Sequence, residues 1–107
     1  MNENQIMVLI KEPGKPAHMD PLFDNRLDAF QNAVGGYIET VTLADDVVII
    51  CNEEGRLMGL EPNVEINGID FVGTIMAVGV KGDEFASLKA ARVPRIWRVL
   101  EEGGELR

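Results

Sequence analysis

The segment from Val34 to Leu60 constrains the fold more than any other part of this chain. It sets a diglycine, Gly35-Gly36, ahead of two runs of strand-forming residues and a turn containing Gly55. Tyr37 to Leu43 is rich in β-branched and aromatic residues, which suit a pleated, half-buried surface. Ala44-Asp45-Asp46 turns the chain. Val47 to Cys51 is apolar at every position, the pattern of a central strand covered on both faces. Asn52-Glu53-Glu54-Gly55 reads as a tight hairpin turn, with Gly55 at a position that needs positive φ, and Arg56 to Leu60 as a short return strand. Glu61-Pro62-Asn63 ends that strand.

The flanks fill in a sheet around this segment. Ile6 to Ile10 is a first strand, closed by Glu12-Pro13-Gly14. Lys15 to Pro21 reads as a loop, and a helix is expected from about Pro21 to Val34. Phe23, Leu27, Phe30 and Val34 would form its apolar stripe, with Asp20, Asp24 and Asp28 along one flank. Gly35-Gly36 stops it, because a glycine just past a helix takes the left-handed conformation cheaply. Asn67-Gly68 joins Val64–Ile66 to Ile69–Phe71 as a two-residue hairpin. A strand is expected to continue from Phe71 to Val80. Gly73 and Gly79 within it mark a bulge or a close backbone approach. Asp83 and Glu84 open a helical stretch with Phe85 and Leu88, and Pro94 interrupts it or starts a second helix at its first turn. Ile96, Trp97, Val99 and Leu100 supply the last apolar surface, Gly103-Gly104 ends the structure, and Glu105 to Arg107 are expected to fray. The expectation is an α+β domain: a mostly antiparallel sheet of five or six strands with about two helical segments packed on it.

A chain of 107 residues suits one compact domain. No apolar run approaches the ~20 residues of a membrane helix. The polar start, Met1 to Gln5, lacks the basic region of a signal peptide. Cys51 is the only cysteine, so no internal disulfide forms, and a cytoplasmic setting is expected. The net charge of -8 repels a phosphate backbone and argues against direct nucleic-acid binding. The apolar content for this length is compatible with a homodimer.

Catalytic patterns are hard to find. His18 is the only histidine, set among prolines, and Cys51 lies in the apolar run. A nucleophilic pair would need His18 beside Asp20 or Cys51. The Asp20/Asp24/Asp28 row offers carboxylates alone, Asp45-Asp46 and Glu53-Glu54 lack calcium-loop spacing, and no metal or other cofactor is expected. Gly35-Gly36 follows a helix and precedes a strand, the reverse of a phosphate cradle. Glu12-Pro13-Gly14-Lys15 is too short for one. The chain is read as a non-enzyme. Its most concentrated positive feature is Arg92, Arg95 and Arg98 beside Trp97. On a helix these arginines would form a basic ridge able to hold phosphate or carboxylate, unless they pair within the chain.

The order and spacing of several short segments resemble the family named domain of unknown function 3846. The segments are Glu12-Pro13-Gly14, Val34 to Glu39, Cys51 to Gly55, Leu57 to Leu60, Asn63, Gly73-Thr74 and Val78-Gly79. The resemblance covers roughly residues 6 to 88 and leaves residues 89–107 as a helical extension. It implies a small accessory protein of phages, plasmids or other mobile elements, and no particular activity. In that setting two modes of counter-defence are expected. One is sequestration of a nucleotide-type signal by Tyr37, Asn52, Arg56, Asn63 and Thr74 with Arg92, Arg95 and Arg98. There the ring would stack on a base and the guanidiniums would hold phosphates. The other is occlusion of a host nuclease or other host protein, through an acidic DNA-like face led by Asp20, Asp24 and Asp28 or through a plain interaction surface.

Overall fold

The computed structural model describes residues 4–106; the polar start at Met1 to Glu3 and the terminal Arg107 lie outside the described residues. The fold is α+β, built on a six-stranded antiparallel sheet with a helix on each face and a separate two-stranded hairpin. The main sheet runs β2 (His18–Asp24), β1 (Gln5–Lys11), β7 (Ile75–Lys81), β4 (Val47–Asn52), β3 (Ile38–Ala44), and β8 (Glu84–Ala86) pairs with β7. The hairpin is β5 (Pro62–Ile66) with β6 (Ile69–Val72).

Strand β4 is buried at all six positions, as its unbroken apolar run requires. Its side chains alternate between two cores. On one face Phe30 and Val34 of α1 (Leu27–Val34) cover Ile6, Val8, Val48, Ile50, Met76 and Val78. Phe30 sits between Phe23 and Phe85, each with its ring centroid 5.2 Å away. On the other face Ile96, Val99 and Leu100 of α2 (Val93–Glu102) join Ile66 and Phe71 of the hairpin over Leu9, Val47, Ile49, Ile75 and Ala77.

Several local expectations hold. Gly35 caps α1 at φ 82 and its N–H donates to Gln31 O. Asn67 (φ 53) and Gly68 (φ 79) make the turn between β5 and β6. Pro94 lies in the first turn of α2. Gly79 is a close approach, since a Cβ there would run into the backbone carbonyl of Ser87.

Others are corrected. Residues 18–24 form β2, not the start of a helix, so α1 is only eight residues long. The reason is tertiary. Without β2 the outer edge of β1 would be left unpaired, and pairing outweighs a weak local helix preference. Phe23 still reaches the α1 core, but Leu27 is 59% exposed and drops out of the stripe. Arg56 to Leu60 is a run of turns rather than a return strand. Gly55 does not have positive φ; its hydrogen is required instead because a Cβ would lie 2.8 Å from Val72 Cγ2. Gly73 (φ 73) breaks the expected Phe71–Val80 strand into β6 and β7. Residues 84–86 are strand β8, not helix. The segment after α2 is tied down: Gly104 N donates to Glu65 O, Asn67 N to Gly104 O, and Leu106 N to Asn67 Oδ1.

Candidate functional site

Between β4 and β5 the chain makes a compact series of turns over residues 53–61. Met58 N donates to Glu54 O, Gly59 N to Arg56 O and Leu60 N to Gly55 O, so the loop is bonded to itself. Asn52 anchors its start. The buried Asn52 amide donates to Val34 O at 3.1 Å, at the end of α1, while Asn52 Oδ1 accepts from Glu54 N at 2.8 Å. Gly36 must be bare here, since a Cβ would lie 2.9 Å from Asn52 Nδ2. Asn63 anchors the far end. Its amide donates to Lys11 O at 2.9 Å and Gly73 O at 2.7 Å, leaving Asn63 Oδ1 buried without a hydrogen-bond partner among the described residues. Gly73 N donates to Glu61 O at 2.7 Å.

Held this way, the loop shows solvent its apolar side chains. Leu57 is 89% exposed and Met58 53%, next to Tyr37 at 67%. Scattered apolar residues on a surface need no explanation, but Leu57 and Met58 are consecutive on one loop and Met58 borders the same recess as Tyr37. Three recesses border the loop. The first, of about 420 Å³, lies under it and is lined by Glu39 and Val41 of β3, Cys51 and Asn52 of β4, loop residues Glu53, Glu54, Arg56 and Leu57, and Ile69 to Val72 of β6. Tyr37, Gly36, Glu54 and Met58 border the second. Lys15, Leu60, Glu61, Gly73 and Thr74 border the third.

The first recess is acidic at its rim and apolar at its floor. Glu39, Glu53, Glu54 and Asp70 face Arg56 as the single cation among its lining residues. Arg56 itself is engaged, with Nη2 donating to Asp70 O at 2.6 Å. Burial first, and the Glu39 carboxylate second, push the Cys51 thiol up to about 11. At neutral pH it stays protonated and is a poor nucleophile.

The candidate residues proposed from the sequence therefore divide. Asn52 and Arg56 share the first recess, Tyr37 lies at the second and Thr74 at the third. Asn52 and Asn63 spend their amides on the frame of the loop. The arginines are elsewhere. Arg92 donates to Asp46 Oδ1 at 2.7 Å, beyond the far end of β3 from Tyr37, and seven strand residues span ~23 Å. Arg92 also closes a 3-10 turn, Ala90–Arg92, ahead of α2, so the three arginines do not share one helix; Arg95 and Arg98 are exposed on α2. The acidic row dissolves likewise. Asp20 and Asp24 are in β2 and Asp28 in α1; Arg26 pairs with Asp24 at 3.5 Å and Asp28 at 3.7 Å, and Asp20 Oδ1 accepts from Leu22 N. His18 is in β2 on the edge of the sheet, not in a loop beside Cys51.

Leu57, Met58, Glu39 and Asp70 were not picked out from the sequence. One signal was available: Gly55 and Gly59 closely bracket Arg56-Leu57-Met58, and glycines punctuate turns rather than strands, which leaves these apolar residues no sheet to face.

Apart from Val78-Gly79, the segments that carried the resemblance lie around this loop and its recesses. Among the described residues no three histidine, cysteine, aspartate or glutamate side chains converge as a metal site, and no helix is long and apolar enough to cross a membrane. Neither the curated proteins nor the solved structures contain a match to this chain. A family model does match, over residues 6–101, and so runs past residue 88 to take in nearly all of α2. With that span of a chain of 107 residues, the protein belongs to the family described as domain of unknown function (DUF3846).

Proposed function

We propose that this domain is a non-enzymatic binding module of a phage or other mobile element, and that it acts by occupying a protein of the host. The observation that carries the reading is the exposed apolar pair Leu57 and Met58 on one rigidly framed loop, with Leu57 lining the acidic recess and Met58 sharing the neighbouring recess with exposed Tyr37. Exposed apolar anchors ringed by polar groups are the anatomy of a protein contact. The mobile-element setting comes from the family resemblance. Nucleotide sequestration is the weaker alternative, because the recess offers four carboxylates to a phosphate and its arginine is already bonded to Asp70 O.

The test is a photo-crosslinking side chain at position 57, with the same group at exposed Lys81 as control, in cells carrying the element. A discrete protein adduct at 57 and none at 81 is expected. Native mass spectrometry against mono-, di- and cyclic nucleotides is the opposing arm. An unaltered nucleotide retained by the domain, with no adduct at 57, would replace the protein partner with a small ligand.

A further inference from the structure

The six-stranded sheet ends in two edges, and they are not alike. Strand β2 is guarded: Pro21 stands within it, and its pairing with β1 is irregular between Ile6 and Val8, opposite that proline. Proline and bulges are the usual devices that stop an edge from recruiting another strand. Strand β3, at the other end, has neither proline nor lysine. Its single irregularity falls between Thr42 and Ala44, which leaves Ile38 to Thr42 regular.

The outward groups of β3 follow from its register. Glu53 N donates to Tyr37 O, which fixes 37 and 53 as a hydrogen-bonded pair. Antiparallel pairs alternate, so Glu39 and Val41 turn their backbone groups to β4. Ile38, Thr40 and Thr42 then present their N–H and C=O groups at the open edge. The side chains of Glu39 and Val41 line the acidic recess, so a strand added to β3 would lay alternate side chains along Glu39 and toward Asp70.

We infer that β3 is a docking edge for an extended basic peptide segment of the partner protein, paired main chain to main chain, with lysine or arginine at alternate positions beside the recess. This rests on the proposed binding function and names its partner chemistry. Charge selects the occupant. The recess carries Glu39, Glu53, Glu54 and Asp70 against Arg56, and the whole chain is at -8. A second copy of this chain would bring like charge to the edge, whereas a basic strand is steered to it and neutralises it. Main-chain pairing supplies affinity, and the recess supplies the preference for alternate basic side chains.

The experiment titrates ¹⁵N-labelled protein with three capped peptides long enough to span β3. One alternates valine and arginine, the second has glutamate for arginine, and the third is the first with a central proline. The first should shift the amides of Ile38, Thr40 and Thr42 and slow their exchange with solvent; the other two should not. Thr40→Pro, at an outward N–H that β4 does not use, should abolish binding with thermal stability nearly unchanged. Glu39→Lys, on the exposed face, should weaken binding at least about tenfold. Equal binding of the acidic peptide, shifts confined to β2 or α2, no binding of the valine–arginine peptide, or a β3-mediated dimer without peptide would each overturn the inference. If Thr40→Pro leaves the cellular adduct at position 57 intact, the edge is wrong while the protein-binding reading stands.

Discussion

Asn52, Asn63 and Cys51 show how single residues set the character of the recess. The two asparagines each hold backbone that no secondary structure satisfies, and a buried backbone group left bare costs about 1–3 kcal/mol. Their role is to fix the loop, which is why Leu57 and Met58 stay out in solvent. Cys51 is the only thiol, and burial keeps it neutral, with Glu39 adding to the effect. The folded pKa, about 11, lies above that of an exposed thiol, so the folded state holds its proton more tightly. Stability associated with this group is therefore full below the unfolded pKa and declines as pH rises from there through about 11. Labelling by iodoacetamide at pH 8 should be very slow in the native protein and fast in urea. Glu39→Gln should leave labelling slow, because burial is the larger cause. Fast native labelling would mean that the recess opens to its floor.

At the scale of elements, the 3-10 turn ahead of the second helix is pinned to the sheet through the Asp46 carboxylate. Asp46, in the turn between β3 and β4, accepts from Arg92 at 2.7 Å and pairs with Lys89 at 3.5 Å. The Arg92 hydrogen bond holds the Asp46 carboxyl below the usual carboxylate range, against some desolvation. The sign follows: the contribution is present above the ordinary aspartate pKa of ~3.9 and is lost as pH falls through the lower folded value. In acid melts, the difference in Tm between the wild type and Asp46→Asn should be largest near neutral pH and close up below about pH 4. A difference that persisted to lower pH would assign the effect to packing. The same contact explains why the basic ridge expected from the sequence does not form: its first arginine is used to dock the 3-10 turn on the sheet.

The molecule as a whole is a sheet sandwiched between two apolar faces, and neither cover is optional. Helix α2 buries Ile96, Val99 and Leu100, each contributing roughly 1.5–3 kcal/mol, against ~5–15 kcal/mol for a whole domain. A chain truncated after Leu88 should therefore fail to fold cooperatively, with no sigmoidal urea transition and with dye-binding apolar surface. A two-state transition near that of the full chain would show that residues 89–107 are an extension rather than half of a core. The family match through residue 101 agrees with an integral α2.

The sequence by itself determined the α+β class, the buried central strand, the Gly35 cap and the Asn67-Gly68 turn, and it allowed a helix with Pro94 in its first turn. Each is a local matter, since an all-apolar run, a left-handed glycine and a fixed proline φ act through their own few residues. The tertiary structure alone decided that residues 18–24 pair as a strand, that residues 84–86 extend β7's ladder and that Arg92 belongs to Asp46. It also decided that Leu57 and Met58 have no sheet to cover and so face solvent. Strand pairing and ion pairing join residues far apart in the chain, and their energies depend on what lies opposite, which no local pattern encodes.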